Sequence, residues 1–206
     1  MDLYGGSVSN ITLHNSPNWL QLVYNSSNIA FDSMYLNAPS SNSSPTANSD
    51  TWHTYRSDNI VFQNSRIPIP MIGLLSFLLN SANILVQNLY CNDSHGISVG
   101  SLGQHIGQVD IVENILVCNT SLKLRYMTQF YVAPNQTACN EHPASFIVEY
   151  IMFMNFDGTT SKTRAPYIAS LSTPTQMYKI RAENINVVSP SGTDEAIGTN
   201  VGLHVT

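Results

Sequence analysis

A short unit of the form Ser/Asn-x-Asn-Ile, followed by alternating residues and a further Asn, recurs along the chain. It reads "SSNIAFDSMYLNAP", "SDNIVFQNS", "SANILVQNLYCND" and "QVDIVENILVCNTS", then more loosely "SFIVEYIMFMNFDG" and "MYKIRAENINVVSP". Successive anchors such as Asn28, Asn59 and Asn83 lie roughly 24 to 31 residues apart, inside the repeat range of a solenoid. Each copy is a period-two strand bounded by turn-forming Asn, Ser and Gly. One such strand cannot bury its apolar face alone. Stacking the copies in parallel sets Ile on Ile in a continuous core and lets Asn side chains form ladders at the turns. The expected fold is all-β, a right-handed parallel β-helix, with residues 1–206 as one partial domain of about seven coils. An antiparallel sandwich also uses many short strands, but its strands usually recur every ~8–12 residues, closer than the spacing here.

Composition narrows the function classes. Of 206 residues, 43% are hydrophobic and 10% charged, enough apolar material for a core and too little charge for disorder. A net charge of −5 with 8 Lys plus Arg offers no nucleic-acid surface and no patch for an anionic membrane. An anionic substrate must therefore be met by a few local cations. The six histidines have no zinc-ligand spacing, and Walker, GxGxxG and GxSxG motifs are missing, so neither metal nor cofactor is expected. Sequons at Asn10, Asn25, Asn42, Asn92, Asn119 and Asn135 point to an extracellular glycoprotein, although "MDLYGGSVSN" carries no signal-peptide pattern.

The most apolar stretch, "RIPIPMIGLLSFLLN" from Arg66 to Asn80, raises the question of a membrane span. Its apolar part, Ile67 to Leu79, falls short of the ~20 residues a span needs, and Pro68 and Pro70 interrupt it. A buried strand or short helix is the alternative, and no membrane partner is expected.

Two segments look chemical: "TANSDTWHTYRSDNI" and "NDSHGISVGSLGQ". Together with "NILVQNLYCND", "VDIVEN", "TACNEHP" and "FDGTTSK", they resemble glycoside hydrolase family 28, the polygalacturonases, and in particular the fungal exo-acting members. The resemblance implies inverting hydrolysis of α-1,4 bonds between galacturonic acid units of pectin. It also implies a cleft marked by Asn-Thr-Asp, Gly-Asp-Asp, Gly-His-Gly and Arg-Ile-Lys motifs. Inversion requires one carboxylic acid to protonate the leaving oxygen and one carboxylate to activate water, ~6.5–9.5 Å apart. Cations must receive the substrate carboxylate.

"NSD" at Asn48 to Asp50 matches the first motif with Ser49 for Thr, so the resemblance makes Asp50 the water-activating base and Asn48 a substrate contact. Read without it, an Asp in an Asn/Ser-rich turn caps its own backbone. "SHG" at Ser94 to Gly96 matches the Gly-His-Gly motif and makes His95 the residue that tunes a catalytic carboxylate. The two catalytic aspartates of the family fall near Ile72 and Gly73, so both carboxylates are missing and the general acid with them. "NTSLKLRYMTQFY" runs from the coil after His95 almost directly into a segment that normally lies much further along, which implies an internal deletion. Lys123 and Arg125, two apart on an expected strand, are candidate substrate-binding cations in place of the Arg-Ile-Lys pair; a solvated surface pair is the alternative.

Family members generally pair the cysteine before Ser-His-Gly with one beside the Asp-Asp motif; here Cys91 would face Leu74. Cys139 likewise has Phe130 where a partner is expected and Cys118 has no counterpart, so all three thiols are expected free. The loss of an acidic motif, its polarity and its disulfide partner within one block points to a shifted reading frame. Two function classes follow: an exo-polygalacturonase scaffold impaired in catalysis, and a non-catalytic β-helix that binds pectic oligosaccharide. Either is expected to be a monomer, incomplete at its amino-terminal end, with Ile67 to Leu79 packed irregularly or exposed.

Overall fold

The first coil comprises β1 (Tyr4–Ser9), β2 (Thr12–His14) and β3 (Gln21–Tyr24). The second holds β4 (Ser27–Asp32), β5 (Tyr35–Asn37) and β6 (Trp52–Tyr55), and the third β7 (Asp58–Gln63), β8 (Arg66–Ile67) and β9 (Leu75–Phe77). The fourth is β10 (Ser81–Gln87), β11 (Tyr90–Cys91) and β12 (Ile97–Val99). Beyond it come β13 (Asp110–Ser121), β14 (Phe146–Thr159), β15 (Tyr167–Ser170), β16 (Met177–Val188), β17 (Ile197–Thr199) and β18 (Leu203–Val205). The structure is a computed structural model that describes residues 2–15, 19–39, 50–68, 75–92, 97–100, 102–103, 107–121, 145–159, 167–170, 177–188, 197–199 and 203–205.

Every pairing among these strands is parallel. One column runs β1, β4, β7, β10, β13, β14, β16, β18; a second runs β2, β5, β8, β11 and joins the end of β13; a third runs β3, β6, β9, β12. Strands that neighbour in space are thus one full repeat apart in sequence. Parallel neighbours need a long crossover, and such crossovers are right-handed. The fold is the expected parallel β-helix; among the described residues its first column is eight strands deep, against about seven coils expected.

The core explains the repeat. Ile29, Ile60, Ile84, Ile115, Ile151 and Ile180 are in register on successive coils, and each is buried. Two residues on, Phe31 and Phe62 stack at 5.2 Å, and Trp52 reaches Phe62 from the third column at 4.8 Å. Three rows of left-handed residues bend the coils. Asn28, Asn59, Asn83 and Asn114 precede the buried Ile; Asn64, Asn88, Asn119, Asn155 and Asn184 turn the chain after the first column; Asn25, Arg56 and Asn80 turn it back from the third column. Asn tolerates positive φ better than other residues with a β-carbon, because its short amide bonds locally. Its amide also spans coils, as in Asn59 Nδ2 to Asn28 Oδ1 (2.7 Å) and Asn155 Nδ2 to Asn119 Oδ1 (3.0 Å). The expected ladders are present.

The expectation for Ile67 to Leu79 fails at both ends. Ile67 and Phe77 are fully buried and Leu79 nearly so. The reason is register: Ile67 pairs with Cys91, and Phe77 sits between Thr54 and Val99 in the third column. Residues 69–74, which include Ile72 and Gly73, lie outside the described residues. Among the described residues no helix is long and apolar enough to cross a membrane.

Candidate active site

The third column positions the site. In β6 the alternation sends Trp52 and Thr54 into the core, both fully buried, so His53 and Tyr55 project from the outer face. In β3, Val23 points in while Leu22 and Tyr24 point out. The register pairs Leu22 with His53 and Tyr24 with Tyr55. Trp52 Nε1 donates to Gln21 Oε1 at 2.7 Å, and Leu20 N–H donates to the Asp50 carbonyl at 3.0 Å, so β6 and the residue ahead of it are tied to the first coil.

Asp50 enters β6 with its carboxylate beside His53: Oδ2 lies 2.7 Å from Nε2, and the two side chains are 15% and 7% exposed. The contact is an ion-pair approach without the alignment of a linear hydrogen bond, and neither ring nitrogen has a hydrogen-bond partner among the described residues. Nδ1 is buried with no acceptor among the described residues, which favours the tautomer with its proton on Nε2, toward the carboxylate. Trp19 covers the imidazole with ring centroids 4.6 Å apart and a 42° tilt. An outward histidine is therefore dry.

A carboxylate held beside an imidazole N–H is suited to accept a proton from water. Cleavage with inversion needs a second carboxyl to protonate the leaving group. Along the column, His53 is in register with Ser76 and Ser76 with Ser98, so the described strands supply no carboxyl at this level. Asp110, the buried aspartate among the described residues, accepts the Gly103 N–H at 2.7 Å and begins β13 in the first column.

Of the residues expected from the sequence, Asp50 is among the described residues, just ahead of β6; Asn48, His95, Lys123 and Arg125 lie outside them. His53, Trp19, Tyr55 and Arg56 were not singled out, although the period-two alternation of "DTWHTYRS" carries the signal for the outward pair. Cys91 and Cys118 are free. Burial pushes the Cys91 thiol well above the usual range and also raises that of Cys118. Cys139 lies outside the described residues.

The family model for glycosyl hydrolases family 28 matches residues 2–127. The chain belongs to that family. Its relatives in family 28 include "Probable exopolygalacturonase X" of Neosartorya fischeri, 42% identical over a match covering 97% of this chain and 57% of that protein. "Exopolygalacturonase X-1" of Emericella nidulans is 40% identical with the same coverage. The chain thus spans 57% of the length of these relatives. The match to the first runs over 247 residues, more than the 206 of the whole chain, so that relative carries residues within the matched span that this chain lacks. This agrees with the expected internal deletion. Among solved structures, the endo-xylogalacturonan hydrolase of Aspergillus tubingensis superposes with a TM-score of 0.73 at 22% identity, covering 99% of this chain and 67% of that one. The polygalacturonase of Erwinia carotovora gives a TM-score of 0.51 at 14% identity, covering 98% and 59%. These two bear on the fold alone.

Proposed function

We propose that the chain is a polygalacturonase-type member of family 28 directed at α-1,4-galacturonan, of the exo-acting, inverting kind, and impaired in cleavage as written. The observation that carries this reading is Asp50 held 2.7 Å from His53 on the outer face of the third column. In sequence, Gly73 and His95 stand two residues ahead of Leu75 and Ile97, as Asp50 stands two ahead of Trp52, and those three strand residues are consecutive in register. Asp50 is the base, His95 the residue that tunes the site, and Asn48 a substrate contact. Ile72 and Gly73 stand where the acid is needed, and neither side chain carries a proton to give. Lys123 and Arg125 substitute for the missing cations. The partner is a pectic polysaccharide or oligogalacturonide, met extracellularly by a monomeric glycoprotein with no role for nucleic acid or membrane.

The test is reducing-end release from polygalacturonate alongside oligogalacturonide binding. The expected result is binding with turnover near background, and any residual turnover abolished by Asp50→Asn. Vigorous hydrolysis that survives Asp50→Asn overturns the role of Asp50; no binding of any uronide overturns the substrate class. The second reading, a non-catalytic pectin-binding relative, is favoured by Ile72 and Gly73 themselves. Sequencing the transcript across the codons for Phe62 to Gly96 separates an encoded loss from a shifted frame.

A further inference from the structure

Beside the Asp50–His53 pair, the outer face of β3 and β6 carries a run of large side chains that the proposed chemistry leaves unused. Trp19, Leu22 and Tyr24 are 45%, 48% and 40% exposed, a concentration of apolar surface within six residues. Tyr24 lies against Tyr55 with centroids 5.5 Å apart and planes 20° from parallel. The Arg56 guanidinium carbon is 5.5 Å from the Tyr55 ring centroid. Tyr55 is two residues beyond His53 on the same strand and face, roughly 6.6 Å along it.

Arg56 stands out for a second, independent reason. It has φ of 51° in the turn row where Asn25 and Asn80 have 47° and 53°. Long side chains are uncommon in the left-handed region; Tyr150 and Lys179 adopt it at 54° and 56° ahead of the buried Ile of later coils. Within its own turn row, however, Arg56 is set between asparagines, and a residue kept there against backbone preference is a pointer to function. The turn needs only what Asn provides on the coils before and after; what Arg adds is a cation at the end of β6. Arg56 is exposed and makes no ion pair among the described residues. Asp58, the nearest acidic residue in sequence, is engaged by the Asn83 amide at 2.6 Å.

We propose that Tyr24, Tyr55 and Arg56 form a subsite for an acidic pyranose unit adjoining Asp50. The apolar C–H face of the sugar ring lies on the tyrosine pair, and its carboxylate is received by the Arg56 guanidinium, which suits bidentate pairing. The subsite rests on the pectin reading for its ligand class. It supplies a cation without recourse to Lys123 and Arg125, and it serves binding whether or not the chain cleaves.

The chain has two tryptophans, and Trp52 is fully buried while Trp19 is exposed beside the site, so emission changes and acrylamide protection on ligand binding report Trp19. Trigalacturonate and its methyl ester are titrated against the wild type, Arg56→Asn and Tyr24→Ala. Arg56→Asn suits the turn, and its urea midpoint confirms that it folds. The expected result is that Arg56→Asn weakens the acid by at least about tenfold and leaves the ester unchanged, while Tyr24→Ala weakens both. Unaltered affinity of both variants for trigalacturonate overturns the subsite and leaves the pectin reading standing. Equal loss of acid and ester in Arg56→Asn overturns the carboxylate assignment. If the wild type binds neither ligand, the pectin reading falls and the subsite with it.

Discussion

Replacing Asp50 by Ala and His53 by Leu, singly and together, measures whether the two residues hold each other. Leu fills a volume near that of imidazole under Trp19 but offers no donor. The 2.7 Å contact is 15% and 7% exposed at its two ends, so water screens it less than a surface pair. The contact is a short polar approach without hydrogen-bond alignment, and a partly buried pair of this kind is expected to couple by about 1–2 kcal/mol. Asp50 also makes other contacts, so the single variant loses more than the pair; the double-mutant cycle cancels them. The assay is urea denaturation at neutral pH, accepted where the m-value is common to all four proteins. A coupling below about 0.5 kcal/mol refutes the reasoning, because Asp50 is then aimed by its backbone and its other contacts and His53 is not part of the site.

Asn155 has φ of 53°, donates to Asn119 and accepts from Asn184 at 2.8 Å; Asn155→Ala is expected to cost about 2–3 kcal/mol in urea melts and Asn155→Gly about 0.5–1 kcal/mol less, the reverse order arguing against the left-handed strain. Hydrogen bonds from Asn64 and Ser33 hold the Asp32 carboxyl below its ordinary value. Its folded pKa is depressed, so its contribution is present above the unfolded carboxyl range and is lost as pH falls through the folded pKa. Asn64→Ala should move the Asp32 carboxyl back up in a carbon-detected NMR titration, and an unmoved midpoint counts against the ladder as the cause. Cys118 should alkylate first in the native protein and Cys91 only on unfolding, because burial disfavours its thiolate more strongly; mass spectrometry of partially labelled protein decides the order.

The coil was legible because a parallel solenoid writes its register into the sequence. Residues one repeat apart touch, so Ile must recur with Ile and Asn with Asn. Asp50 was singled out through the resemblance of "NSD". His53 was not, because two residues separate it from Asp50 and only the turn into β6 decides that their side chains meet. Arg56 was not singled out either, because only its left-handed φ sets it in the row of Asn25 and Asn80. The burial of Ile67 and Phe77 was hidden in the same way: an apolar run looks like an insertion until pairing shows that its ends keep the alternation of their neighbours.

By itself the sequence determined the repeat and the parallel stacking that the repeat requires, since these follow from residue identity and spacing. The tertiary structure decided which outward side chains share a face: His53 under Trp19, and Tyr24 with Tyr55 beside Arg56. Those neighbours come from different coils. Their meeting depends on the register between strands and on the turns that set it, which no local stretch of residues encodes.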